Sequence, residues 1–238
     1  MTRTILITGA GSGIGRGLSL NLAAKGHTIV AVDLNPQTTR VLDVTSEPDV
    51  ERFMREIAPR RIDVLINNAG IQHVARLEEF PQEKWDAVVD VILKGACLMT
   101  RAVLPQMRKN GFGRIINIGS IHSMVASAYK TAYVAAKHAL VGFSKVVALE
   151  TADTDITINT ICPSYVRTPL VDAQIKNQAT AHGISEDEVI NKIMLQPMPK
   201  HAFVTVEEIA ATVEFLMSDM ARNITGQAIA IDGGWTAQ

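Results

Sequence analysis

The stretch from Ser127 to His138, SAYKTAYVAAKH, carries two tyrosines and two lysines in alternating order. Residues four apart share a helix face, so in a helix Tyr133 and Lys137 project side by side, whereas Tyr129 has Tyr133 and not a cation at that offset. A free phenol has a pKa of about 10, too high for efficient proton exchange at neutral pH. A neighbouring ammonium stabilises the phenolate, and one pKa unit corresponds to roughly 1.4 kcal/mol. Tyr133 is therefore a candidate general acid toward a carbonyl, or a general base toward an alcohol. Ser120 ends the run GRIINIGS. If that run is a strand of a parallel sheet, the Ser120 hydroxyl meets a substrate oxygen beyond the carboxyl end of the strand.

A second group of residues points to a nucleotide. TGAGSGIG places Gly9, Gly13 and Gly15 between a β-branched run and a helical pattern, where backbone N–H groups can face a pyrophosphate. The spacing departs from G-x-G-x-x-G, since Ile14 and Arg16 stand where a final glycine would be expected. Asp33 ends TIVAVD twenty residues beyond Gly13. A carboxylate there accepts hydrogen bonds from a ribose diol and repels a 2′-phosphate, and neither Ser12 nor Leu34 offers a basic group, so NAD is expected over NADP. Each feature alone has a plain structural alternative: a ligand-free turn, a capping Asp33, an ordinary strand-end Ser120, or a surface Tyr133–Lys137 contact. Their co-occurrence favours chemistry.

The elements that must position these residues alternate short β-branched runs with helical patterns. In order they are TILIT, a helix from about Ile14, TIVAVD, RVLDV, a helix through VERFMREI, and IDVLINN. A long helix from about Trp85 to Arg108, the strand GRIINIGS, a helix through AYVAAKHALVGFSKVVALE, and the strands TINTICP and QAIAID follow. This rhythm predicts an α/β class fold, a doubly wound parallel sheet with helices on both faces, in one domain over residues 1–238. The stretch from Pro169 to Pro199 is less regular and rich in Gln, Asn and Met; it reads as a lid or substrate loop before a helix starting near Thr205.

With 238 residues, a net charge of −1 and acids and bases spread along the chain, no basic face suggests nucleic acid and no polybasic segment suggests a membrane. A small molecule is the expected partner. Cys97 and Cys162 sit in apolar sequence without metal or disulfide spacing, so no metal is expected and a reduced, cytoplasmic compartment fits. The N-terminus runs from MTRT directly into ILIT, with no leader or membrane-spanning run expected.

TGAGSGIG, NNAG at 67–70, Ser120 thirteen positions before Tyr133, YVAAK, CPSYVRTPL and the terminal IDGGW together resemble the short-chain dehydrogenase/reductase family over nearly the whole chain. The resemblance implies a Rossmann fold and hydride transfer at nicotinamide. It makes Tyr133 the acid/base, Ser120 the group polarising the reacting oxygen, and Lys137 a ligand of the nicotinamide ribose. It further implies that Asp43 and Val44 lie by adenine, that Asn68, Ala69 and Gly70 line the cofactor cleft, and that Val166 and Thr168 meet the carboxamide. Three departures stand out. Ile92 replaces an Asn that in many members holds a relay water to the lysine, Ser164 replaces the glycine of the usual PG, and the segment between Asp33 and RVLDV is short, trimming a helix to a turn.

Within the family, NNAGIQHV, GSIHSMVASAYKTAYVAAKH, TPLVDAQI and DGGWTAQ resemble the D-3-hydroxybutyrate dehydrogenases. That resemblance places Gln72, His122, Lys130 and Gln174 around the substrate, with Tyr165 and Trp235 as apolar wall, and implies a homotetramer. Independently, a small anionic substrate needs a cation near Tyr133, and Lys130 lies one turn before it. The expected reaction is NAD-dependent oxidation of (R)-3-hydroxybutyrate to acetoacetate. Two alternatives stay open: a related enzyme for another oxo compound or alcohol, such as a 3-oxoacyl thioester or a sugar alcohol, and a catalytically silent NAD-binding regulator. His122, Gln72, Gln174 and Lys130 each also have a bland reading as capping or solvated surface groups.

Overall fold

The computed structural model describes residues 2–35, 38, 40–58 and 60–237. Its frame is a six-stranded parallel sheet in the order β2-β1-β3-β4-β5-β6. The strands are β1 (Thr4–Thr8), β2 (Thr28–Val32), β3 (Val64–Asn67), β4 (Gly113–Ile118), β5 (Ile156–Pro163) and β6 (Ala228–Ile231). Strands β3, β4 and β5 are buried along their whole length because helices cover both faces, polar residues such as Asn117 and Asn159 included. Two apolar clusters, one on each face, supply that cover. One gathers Leu6, Leu65 and Ile115 with Phe53, Met99 and Val147; the other gathers Ile5, Ile66 and Ile116 with Leu18, Ile209 and Val213.

Helix α1 (Gly13–Ala24) follows β1, and α2 (Glu47–Glu56) starts at Ser46, whose side chain accepts from Asp49 N–H. The run RVLDV does not form a strand. It contributes only the bridge Asp33–Val41 beside β2, because the connection from Asp33 is too short to carry a full outer strand and helix. The expected turn after Asp33 falls partly on residues 36, 37 and 39, which lie outside the described residues.

The helix expected over 85–108 is three joined pieces: α3 (Gln82–Val89), a π-helical turn Asp90–Lys94, and α4 (Gly95–Asn110), closed by Gly111 at φ 66°. Helix α5 (Thr131–Glu150) is long and apolar enough by composition to cross a membrane, yet it packs on β5 and carries Tyr133 and Lys137 into the fold. The 169–199 stretch is largely helical: α6 (Pro169–His182) starts at Thr168, whose hydroxyl accepts from Val171 N–H, and α7 (Glu186–Val189) runs into a π turn, Ile190–Met194. Its buried face is narrow, centred on Val171, Ile175, Val189 and Met194, which is why its periodicity is faint in sequence. Helix α8 (Val206–Met217) begins at a capping box, Thr205 with Glu208. Cys162 is buried, whereas Cys97 is exposed despite its apolar neighbours in sequence.

Candidate active site

The carboxyl ends of the strands open onto a cleft that encloses about 1280 Å³. Gly9, Ser12, Gly13, Ile14, Asp33, Asp43, Val44, Asn68, Ala69, Gly70, Tyr133, Lys137 and Thr168 all line it, as the sequence predicts. Gly15 does not. It lies behind the turn, where an added Cβ would fall 2.2 Å from Gly9 O and 2.4 Å from Asn68 Nδ2. Gly9 and Gly13 hold φ of 63° and 51°, a region glycine enters without steric cost. Asn68 ties the turn down, donating to the carbonyls of Thr8 (3.0 Å) and Gly9 (2.9 Å). Asp33 accepts from Gly11 N–H at 2.8 Å and Asn35 N–H at 2.9 Å, and its oxygens keep lone pairs for a diol. Leu42, Ile71, Val91, Ile118 and Gly119 also line the cleft and were missed; all but Ile118 sit beside a residue already singled out.

A smaller cavity of about 610 Å³ adjoins this cleft, and the two share Tyr133, Gln72, Gly119, Ile14 and Thr168. Ser120, His122, Lys130, Tyr165, Val166 and Gln174 line the cavity. Val166 thus faces the smaller cavity, held by its bridge to Val204. Trp235 supports the wall from outside: it stacks on Tyr165 at 6.1 Å and meets His122 edge-on at 6.1 Å, beside Met124 and Val125. Pro163, Ser164, Ile121 and Val171 complete the lining; Ser164 and Pro163 were visible as the altered turn, while Val171 carried no signal.

Ser120 caps the short turn Ile121–Ser123, accepting from the backbone N–H of His122 at 3.2 Å, and shares the cavity lining with the Tyr133 phenol. Lys137 is buried and donates to Ile118 O at 2.6 Å, with its nitrogen 5.6 Å from the centre of the Tyr133 ring. The electrostatics differ from the sequence expectation. Burial pushes the Tyr133 phenol up, the neighbouring Ser120 hydroxyl works against that rise, and Lys137 is not among the groups that lower it. Burial also lowers Lys137 to about 8.

Lys130 precedes the first turn of α5 and turns inward, its nitrogen 5.8 Å from the centre of the Tyr165 ring. Burial lowers its pKa, and among the described residues no acidic group raises it. Tyr129 is not packed. It is exposed, at φ 68°, with Arg76 over its ring, and its carbonyl accepts from Ala75 N–H, tying the loop after Gln72 to the Lys130 turn. Across the cavity, Gln174 donates to Gln72 at 2.9 Å, so two amides far apart in sequence form one clasp. His122 has both ring nitrogens turned to serine hydroxyls, Ser120 and Ser127.

The arrangement places a phenol where a long cleft meets a small cavity that one half-buried lysine, Lys130, lines. A family model described as enoyl-(acyl carrier protein) reductase matches residues 9–236. The D-beta-hydroxybutyrate dehydrogenase of Rhizobium meliloti is 43% identical over 258 positions, covering 100% of both chains. The D-beta-hydroxybutyrate dehydrogenase of Cupriavidus necator is also 43% identical, over 99% of this chain and 98% of its own. Among solved structures, a single-substitution variant of the actinorhodin polyketide ketoreductase, with NADPH, superposes with a TM-score of 0.92 at 30% identity, over 100% of this chain and 98% of its own.

Proposed function

Because the chain belongs to the short-chain dehydrogenase/reductase family, we propose that it is an NAD-dependent enzyme oxidising (R)-3-hydroxybutyrate to acetoacetate. The observation that carries this reading is Lys130: an inward-facing cation without an acidic partner among the described residues, in a small cavity one turn before Tyr133. Partly desolvating an unpaired ammonium is unfavourable, and a substrate carboxylate offsets that cost on binding. The two relatives named above, both D-beta-hydroxybutyrate dehydrogenases, support the same substrate.

The cleft residues fit NAD. Glycine at 15 leaves room where any Cβ would strike the Gly9 carbonyl, and Asp33 offers a carboxylate where an added 2′-phosphate would be repelled. Bound there, NAD would supply the hydride acceptor. Tyr133, as phenolate, takes the proton of the substrate hydroxyl. Ser120 donates its one proton to the same oxygen when substrate is bound; turned toward Tyr133 instead, it opposes the rise in phenol pKa that burial causes. Lys130 pairs with the carboxylate, Gln72 and Gln174 supply amide hydrogen bonds beside it, and Tyr165, backed by Trp235, walls the methyl end.

An assay of NADH formation over a panel of hydroxy acids, polyols and simple alcohols tests the reading. Turnover of (R)-3-hydroxybutyrate above the neutral compounds is the expected result; turnover of neutral alcohols alone removes the substrate assignment. Binding of NADH without turnover of any panel member would favour a non-catalytic NAD-binding role.

A further inference from the structure

Tyr133 must exchange a proton with solvent in every turnover, and the flank of Ile92 offers no route. Ile92 is 2% exposed and sits in an apolar cluster with Val88, Ala132 and Leu140. It flanks Gly70 on the side of the Lys137 nitrogen, since a Cβ on Gly70 would lie 3.7 Å from Ile92 Cγ1 and 3.9 Å from Lys137 Nζ. An apolar wall of this kind gives a bridging water too few polar partners.

The other flank is polar throughout. Tyr133 and Ser120 line the same cavity; Ser120 Oγ lies 3.4 Å from His122 Nδ1; and His122 Nε2 lies 2.7 Å from Ser127 Oγ, on a half-buried residue that reaches solvent. The His122 N–H donates to Ser120 Oγ, which leaves the Ser120 proton free to point at Tyr133 or His122. Burial, with Lys130 and His138 nearby, holds His122 neutral at about 4, so one ring nitrogen donates while the other accepts.

We infer that Tyr133 exchanges its proton with solvent through Ser120, His122 and Ser127. The inference rests on the dehydrogenase reading above. During alcohol oxidation, the phenol that has taken the substrate proton passes it to Ser120 Oγ, as Ser120 passes its own proton to His122 Nδ1. The proton on His122 Nε2 moves to Ser127 Oγ, and the Ser127 proton leaves to water. Tyr133 returns to phenolate, both serines end protonated, and His122 ends neutral as its other tautomer; before the next turnover the emptied cavity admits a water that takes the Nδ1 proton while Ser127 returns one to Nε2. Reduction of the ketone runs the chain inward. Ser127 lies outside the cavity lining and acts through His122, as a positioning residue.

The test uses the full-length enzyme with NAD and 3-hydroxybutyrate. Ser127→Val removes the hydroxyl and fills the space a water would take, whereas Ser127→Thr keeps it. The relay predicts that Ser127→Val lowers kcat about tenfold, with KM and NADH affinity within about twofold and a larger solvent deuterium isotope effect on kcat. Ser127→Thr restores kcat to within about twofold. A Ser127→Val kcat close to wild type, a loss shared equally by Ser127→Thr, or a loss with an unchanged isotope effect overturns the relay. A check independent of folding is the proton inventory of the wild type: a curved dependence on deuterium fraction is expected, and a straight line contradicts several protons moving together. If the wild type oxidises a different alcohol and not 3-hydroxybutyrate, the substrate reading fails, while the same ratios measured on that alcohol still decide the relay.

Discussion

The two halves of the site are built differently. The turn at one end of the proposed cofactor cleft is made of backbone: Gly9 and Gly13, with Gly15 packed behind them in α1 and Asn68 and Asp33 tying them down, so its shape follows from where a Cβ cannot stand. The substrate cavity is made of side chains from segments far apart in sequence, with Gln72 meeting Gln174, and Trp235 backing both Tyr165 and His122. A backbone site tolerates almost no change at its core, whereas a side-chain site can be retuned one group at a time. This difference is what lets one fold keep a nucleotide site while substrates vary.

The sharpest contrast is expected at Gly15. A methyl group there overlaps the Gly9 carbonyl, so Gly15→Ala should lower stability by about 3 kcal/mol or more and weaken NADH binding about 100-fold, as read by fluorescence titration and urea melts. Binding within a few-fold of wild type would show that the turn yields, and would break the contrast.

On the substrate side, the largest effect expected is on pH dependence. His122 is held near 4 in the folded protein against 6.5 for a free imidazole, chiefly by burial, with Lys130 and His138 adding to it. Between those values the unfolded chain binds more protons, so the stability is present above pH 6.5 and is lost as pH falls toward 4. About 2–3 kcal/mol should disappear over that window. Urea melts at pH 7 and pH 4.5 should therefore differ less for His122→Asn than for wild type; equal differences would mean that His122 titrates normally.

Asp33 tests how far the backbone rule extends. Replacing it with Ala removes charged hydrogen bonds worth about 2 kcal/mol, so NADH affinity should fall about 30-fold while NADPH affinity falls little or rises. An equal loss for both cofactors would assign Asp33 to the turn alone, through Gly11. The smallest effect is expected at the amide clasp. Gln174→Leu removes one neutral hydrogen bond, about 1 kcal/mol, and should raise KM about fivefold with kcat nearly unchanged; a collapse of kcat would place the clasp closer to the reacting carbon than the cavity suggests.

The same contrast explains what the sequence could show. The glycine turn, Asp33 and the Tyr133–Lys137 pair were legible because fixed local offsets carry them, and the parallel sheet was legible in its β-branched runs. The π turn at Ile92 was not, since an inserted residue in a long helix leaves the apolar pattern on either side intact. RVLDV has strand composition but lacks the connection needed to pair fully. The direction of the Tyr133 shift was also hidden: spacing shows the lysine, while the burial that raises the phenol is tertiary. Tyr129 gave no sequence signal of the left-handed backbone it adopts just before Lys130.

Lys130 bears the central claim, that the cavity selects a carboxylate. The most direct measurement compares kcat/KM for (R)-3-hydroxybutyrate and its methyl ester in wild type and Lys130→Ala. The account predicts a wild-type preference for the acid of about 100-fold, nearly abolished in Lys130→Ala by loss of activity on the acid alone. An equal fall for acid and ester, or a wild type indifferent between them, would contradict it.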